Sequence, residues 1–189
     1  MKVIISRAGF LLLSLLIMGA LFTGCKKETH EHHDEAGDEQ IMGTDEQFKS
    51  NHQSLDWRTV LQLLQARWAT IKYRNLQNAK DDGYADIAVK VENMGHHYMK
   101  AALKDGKFDP SRPEILVYEK HENGHFQLVA VEYAIPIDLT PNKAPEGFYG
   151  KADIWDRNAG FGLWLLHAWV WKKNPDGVFN PTNPLVHTH

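Results

Sequence analysis

Gln127-Leu128-Val129-Ala130-Val131-Glu132-Tyr133-Ala134-Ile135 decides the reading of the fold. The stretch is rich in β-branched and aromatic residues, with no glycine or proline, which is the composition of a strand. Upstream, Ile115-Leu116-Val117-Tyr118 makes a second short strand. Between them Glu122-Asn123-Gly124 carries the Asn-Gly signal of a hairpin turn. Residues 163–171, LWLLHAWVW, are apolar on both alternations and predict a third strand in the middle of the sheet. The segment between, 136–162, holds three prolines and four glycines and reads as a long loop region. Residues 56–82 read as one long helix. Trp57, Val60, Leu61, Leu64, Trp68 and Ile71 recur at three- and four-residue spacing, Ser54 or Asp56 caps the start, and Gly83 ends it. The expected architecture is α+β: a long N-terminal helix packed on an antiparallel sheet in a single domain, residues 51–189.

Alternation along the strands sorts the side chains. On 127–135, Val129, Val131, Tyr133 and Ile135 form a bulky face suited to the helix. Leu128, Ala130, Glu132 and Ala134 form the other, where two alanines leave space around a mid-strand carboxylate. His167 sits among aromatics on a strand with two apolar faces, so its imidazole is expected to be buried and to need partners for both nitrogens. A core histidine bonded to a backbone carbonyl is the plain reading; a carboxylate or a metal ion is the sharper one. Met94-Gly95-His96-His97-Tyr98 adds two adjacent histidines, of which at most one faces inward. Glu114 opens the 115–118 strand after Pro113. His97, Glu114, Glu132 and His167 together would make a two-histidine, two-carboxylate set able to hold zinc, iron, manganese or nickel. The same four could form a hydrogen-bonded polar core without an ion.

The start of the chain reads as an address. Lys2 and Arg7 precede a nearly continuous apolar run, Phe10 to Phe22, which ends at Leu21-Phe22-Thr23-Gly24-Cys25. The run is short for a membrane span, which takes about 20 apolar residues, and the small residue before the only cysteine marks a cleavage point. The stretch resembles a bacterial lipobox. That resemblance implies that residues 1–24 are removed and that Cys25 carries lipid. Residues 25–50 then form an acidic, histidine-rich tether, with eight Asp/Glu against three Lys. His30, His32 and His33 in this tether, and His187 and His189 at the far end, could scavenge divalent metal. The mature partner is expected to be a membrane, in the cell envelope and on the outer membrane of a Gram-negative bacterium. Residues 51–189 carry sixteen charges of each sign, so no basic surplus exists to hold a phosphate backbone, and nucleic acid is not an expected partner.

The central segments also resemble a family of bacterial proteins without an assigned activity, over about residues 66–186. The shared motifs are Lys72-Tyr73 with Asp82-Gly83-Tyr84, Met94-Gly95-His96-His97-Tyr98, Pro113-Glu114-Ile115-Leu116-Val117-Tyr118, Leu128 to Tyr133, and Leu166-His167-Ala168-Trp169-Val170-Trp171. The resemblance implies His97, rather than His96, as the motif histidine, and brings no reaction with it. The sequence therefore points to a lipid-anchored envelope protein binding a transition metal or a small polar ligand. A metal-dependent or His/Glu acid–base enzyme is the alternative, and an apolar-ligand or interaction module is the third reading. No nucleophile elbow, phosphate loop or His-Glu-x-x-His motif names a reaction.

Overall fold

A computed structural model describes residues 54–189; the export signal, Cys25 and the tether expected from the sequence lie outside the described residues. Helix α1, Trp57–Thr70, begins where the Asp56 side chain accepts the backbone N–H of Arg58 at 2.9 Å. It is 14 residues long, shorter than the single helix expected over 56–82. At its end the Thr70 hydroxyl donates back to Ala66 O and accepts the indole N–H of Trp171. The chain tightens into a 3-10 turn, Ile71–Arg74, and Asn75 leaves helical geometry to cap a second helix, α2, Leu76–Asp81. Gly83, at φ +92°, closes α2 as expected. No helix among the described residues is long and apolar enough to cross a membrane.

The face that α1 buries also differs from the apolar stripe. Thr59, Leu63, Leu64, Ala66, Arg67 and Thr70 are buried, while Trp57, Leu61, Trp68 and Ile71 are half or more exposed. The reason lies in the sheet opposite. Tyr118 and Tyr133 of the sheet and the nearby Trp171 supply the bulk of that core, which takes Leu63, Leu64 and Ala66 and leaves Trp57 and Trp68 outside. Arg67 fits because its guanidinium donates to Val170 O at 2.6 Å and lies over the Trp171 ring.

Six antiparallel strands follow: β1 Ala85–Val91, β2 Gly95–Met99, β3 Ile115–Lys120, β4 Phe126–Pro136, β5 Asp156–Asn158 and β6 Leu163–Ala168. Their order across the sheet is β1-β2-β3-β4-β6-β5. The β3–β4 hairpin turns at Asn123-Gly124 as its sequence predicts, with Gly124 at φ +84°. Two corrections apply to the expected strands. β6 stops at Ala168, because Trp169 leaves the ladder to bond Val178 O. β5 emerges inside the stretch expected to be all loop.

A bulge then shifts the face assignment on β4. Tyr118 pairs Leu128, but Val117 pairs Ala130, so Val129 is the extra residue. Leu128 moves to the helix side and Val129 to the other. Beyond the bulge the expected parity holds: Val131 and Tyr133 pack toward the helices, while Ala130, Glu132 and Ala134 face away. On that second face the sheet curls. A flat six-stranded sheet would set its edges roughly 24 Å apart, yet Ile87 and Val89 of β1 and Asp156 and Asn158 of β5 line one common cavity of about 490 Å³.

Candidate functional site

The concave face holds three of the four residues singled out in the sequence. Glu132 sits at the middle of β4, paired to Ile115 on one side and to His167 on the other, so His167 lies directly across from it. His167 Nδ1 is 3.5 Å from Glu132 Oε1. His97 reaches the same carboxylate from two strands away, with Nε2 3.7 Å from Oε2. The curl makes this reach possible. All three residues are buried, at 2 to 4% exposure, and all three line the cavity.

His97 is oriented from behind. Its Nδ1 lies 3.1 Å from the backbone carbonyl of Val89. A carbonyl only accepts, so Nδ1 carries the hydrogen and Nε2 turns a lone pair toward Glu132. This is the arrangement that fixes metal-ligating histidines, with the second ring nitrogen held by a backbone oxygen. His167 lies nearly parallel to Trp169, at 5.9 Å and 16°, and edge-on to His97 at 6.0 Å and 89°. Its Nε2 is buried with no hydrogen-bond partner. An orphaned buried nitrogen of this kind costs about 1–3 kcal/mol and calls for an explanation.

The spacing is informative. Hydrogen bonds between nitrogen and oxygen run at about 2.7–3.2 Å, so 3.5 and 3.7 Å are too long for good ones. Neighbouring ligands of a tetrahedral ion with bonds of about 2.0–2.1 Å stand roughly 3.3 Å apart. One ligand atom from each of the three residues lies within 4.8 Å of the others. Side chains so placed could hold a metal ion.

Electrostatics agree that nothing among the described residues neutralises a charge here. Burial pushes the Glu132 carboxyl up to about 8, with a further push from Asp156. Burial takes His167 down to about 3, with His97 adding to the effect. His97 is lowered by burial, against the bond to Val89 O. The contacts have the reach of ion pairs, but both partners are driven to their neutral forms, so the set is uncharged at neutral pH. A divalent cation would reverse that preference for the carboxyl.

Glu114 does not join the other three. Its carboxylate accepts the backbone N–H of Ala134 at 3.1 Å, and it is absent from the cavity lining. The cause is the bulge at Val129. Continuing the pairing Lys120↔Phe126 without interruption would set Glu114 opposite Glu132; the extra residue advances the register, so Ile115 takes that place. A one-residue step moves a side chain to the other face. Glu114 instead extends the β3–β4 contact past the end of the ladder. His96, the neighbouring histidine, is absent from the cavity lining and packs edge-on against Phe126.

Glu114 carries its own pH dependence. Burial pushes it from 4.5 to about 7. Its stabilising, protonated form is fully present below the unfolded value of 4.5, and its contribution is lost as pH rises through about 7. The gap between the two values corresponds to about 3 kcal/mol. Relative to Glu114→Gln, the protein is expected to lose up to that amount between about pH 4.5 and 8, read from urea unfolding at each pH. Parallel curves for the two proteins would show that the carboxyl ionises without penalty.

Several cavity residues carry no signal in the sequence. Val89 acts through its backbone oxygen, which no side-chain pattern reveals. Ile154 and Asp156 belong to a glycine- and proline-rich segment whose one short strand is only three residues long. Comparisons with family models, curated proteins and solved structures find nothing that matches this chain, so the functional reading rests on the geometry of the site itself.

Proposed function

We propose that the protein is a lipid-anchored binding protein of the cell envelope that holds one divalent transition metal ion between His97, Glu132 and His167. The observation that carries this reading is the spacing: the two imidazoles approach the two oxygens of one buried carboxylate at 3.5 and 3.7 Å, too far for good hydrogen bonds, and one donor from each of the three residues lies within 4.8 Å of the others. The backbone bond to His97 Nδ1 supports it, since that bond leaves Nε2 free to ligate. Two imidazoles and a carboxylate suit zinc, and equally iron, manganese or nickel. The lipid on Cys25 would keep the ion site at a membrane surface.

A second reading, metal-assisted catalysis, is favoured by the ligand count. Three protein ligands leave a coordination position open, and the site borders a cavity of about 490 Å³ rather than a closed core. A site of that form can activate water or polarise a carbonyl.

Elemental analysis of the purified full chain, after dialysis without chelator, tests the binding reading. One ion per chain is expected, lost in His167→Ala. The histidines of the tether and of the C-terminal end are the same in both proteins, so ions held there cancel in the comparison. Equal metal content in the two proteins would overturn the assignment.

A further inference from the structure

We infer that the open position takes the carboxylate of an apolar-tailed monocarboxylate, whose hydrocarbon chain lies in the cavity. This rests on the metal reading of the preceding subsection and names the class of ligand.

The first argument is the lining. Apart from the three donors, the walls are mainly apolar, with Ile87, Val91, Met99, Ile115, Leu163 and Leu165 contributing. A small polar ligand would leave these side chains against water or void. A volume of about 490 Å³ lies within the range that encloses one organic molecule.

The second argument is the mouth. Val91, Ile154 and Phe161 line the cavity and are 40%, 49% and 60% exposed. Apolar residues exposed in continuity with an apolar interior mark an entry for an apolar ligand. The occupant thus needs a tail long enough to run from the three donors to this rim.

The third argument is charge. A divalent ion with one carboxylate and two neutral imidazoles keeps a net single positive charge in a buried site. Buried charge is tolerated when paired. The other charged residues lining the cavity are Lys104 and Asp156, whose formal charges sum to zero, although Asp156 is the one that acts on Glu132. One anionic oxygen donor on the ligand completes the balance.

The probes are acetate, butanoate, hexanoate, octanoate and decanoate. They are titrated calorimetrically into zinc-loaded residues 25–189 carrying Cys25→Ser and made without the export signal, so that neither the lipid nor the apolar 10–22 run calls for detergent. Affinity is expected to rise about fourfold per added methylene until the cavity is filled. 1-Decanol, with the same tail and no carboxylate, is expected to bind at least tenfold more weakly than decanoate. A flat series from acetate to decanoate would overturn the tail, and decanol binding as tightly as decanoate would overturn the head. Zinc content is measured on the same samples and on His167→Ala, the difference being the ion held at the site. Zinc present with a flat series defeats this inference alone. Zinc absent defeats the metal reading, and with it the placement of the carboxylate.

Discussion

Gly95→Ala is expected to remove about 4 kcal/mol of stability, most of what a domain of this size has to spare. Gly95 opens β2 at φ +116°, a conformation that L side chains rarely adopt. A Cβ there would stand 2.5 Å from Tyr118 O and 3.1 Å from Tyr118 C. Both atoms are backbone in the neighbouring strand, so no rotamer change relieves the collision. Tyr118 itself is fully buried, and its hydroxyl donates to Tyr73 O at 2.7 Å, which fixes β3 against the helical layer. The strained backbone costs about 1–3 kcal/mol and the overpacking a similar amount. Urea unfolding measures the sum. A loss under about 1 kcal/mol would mean that β2 moves away from β3 with ease. That motion would also displace His97, two residues along, so metal content would then fall while stability hardly changed.

The parts of the fold legible in the sequence are those where local chemistry and tertiary packing agree. Asn123-Gly124 specifies the β3–β4 turn because only small, turn-forming residues accept the left-handed backbone found there. The 127–135 run specifies a buried strand because its residues fit no other environment well. The helix is a different case. Counting apolar residues predicts a stripe through Trp57, Leu61 and Trp68, yet these are exposed. What selects the buried face is the complementary volume of the sheet, which lies far away in the sequence. Asn75 did carry a legible signal as a second N-cap, masked by the helical propensity around it.

The site divides along the same line. Glu132 and His167 are adjacent across one strand pair, and alternation alone aims both at the concave face. His97 joins them through curvature of the sheet, which alternation along a single strand does not announce. Glu114 fails because face assignment depends on register, and one bulged residue inverts register for everything beyond it. No sequence pattern around Val129 announces that bulge.

Glu132→Leu is expected to separate a site built for a ligand from a network built for the fold. In metal-free buffer the variant should be as stable as the parent or more so, by about 1–2 kcal/mol, because a buried polar set with imperfect bonds is often improved by an apolar replacement. The carboxylate is 3.5 and 3.7 Å from its two neighbours, so little hydrogen bonding is forfeited. With zinc at about a thousand times its dissociation constant, the parent should gain about 4 kcal/mol from mass action. The variant, with two ligands left, should gain far less at the same concentration. Denaturation in zinc and in chelator gives all four values. A variant destabilised by more than about 2 kcal/mol without zinc would identify Glu132 as a structural partner of the two histidines. Retaining a polar triad that weakens the empty protein makes physical sense only where binding returns the stability, and this cycle measures both sides of that exchange.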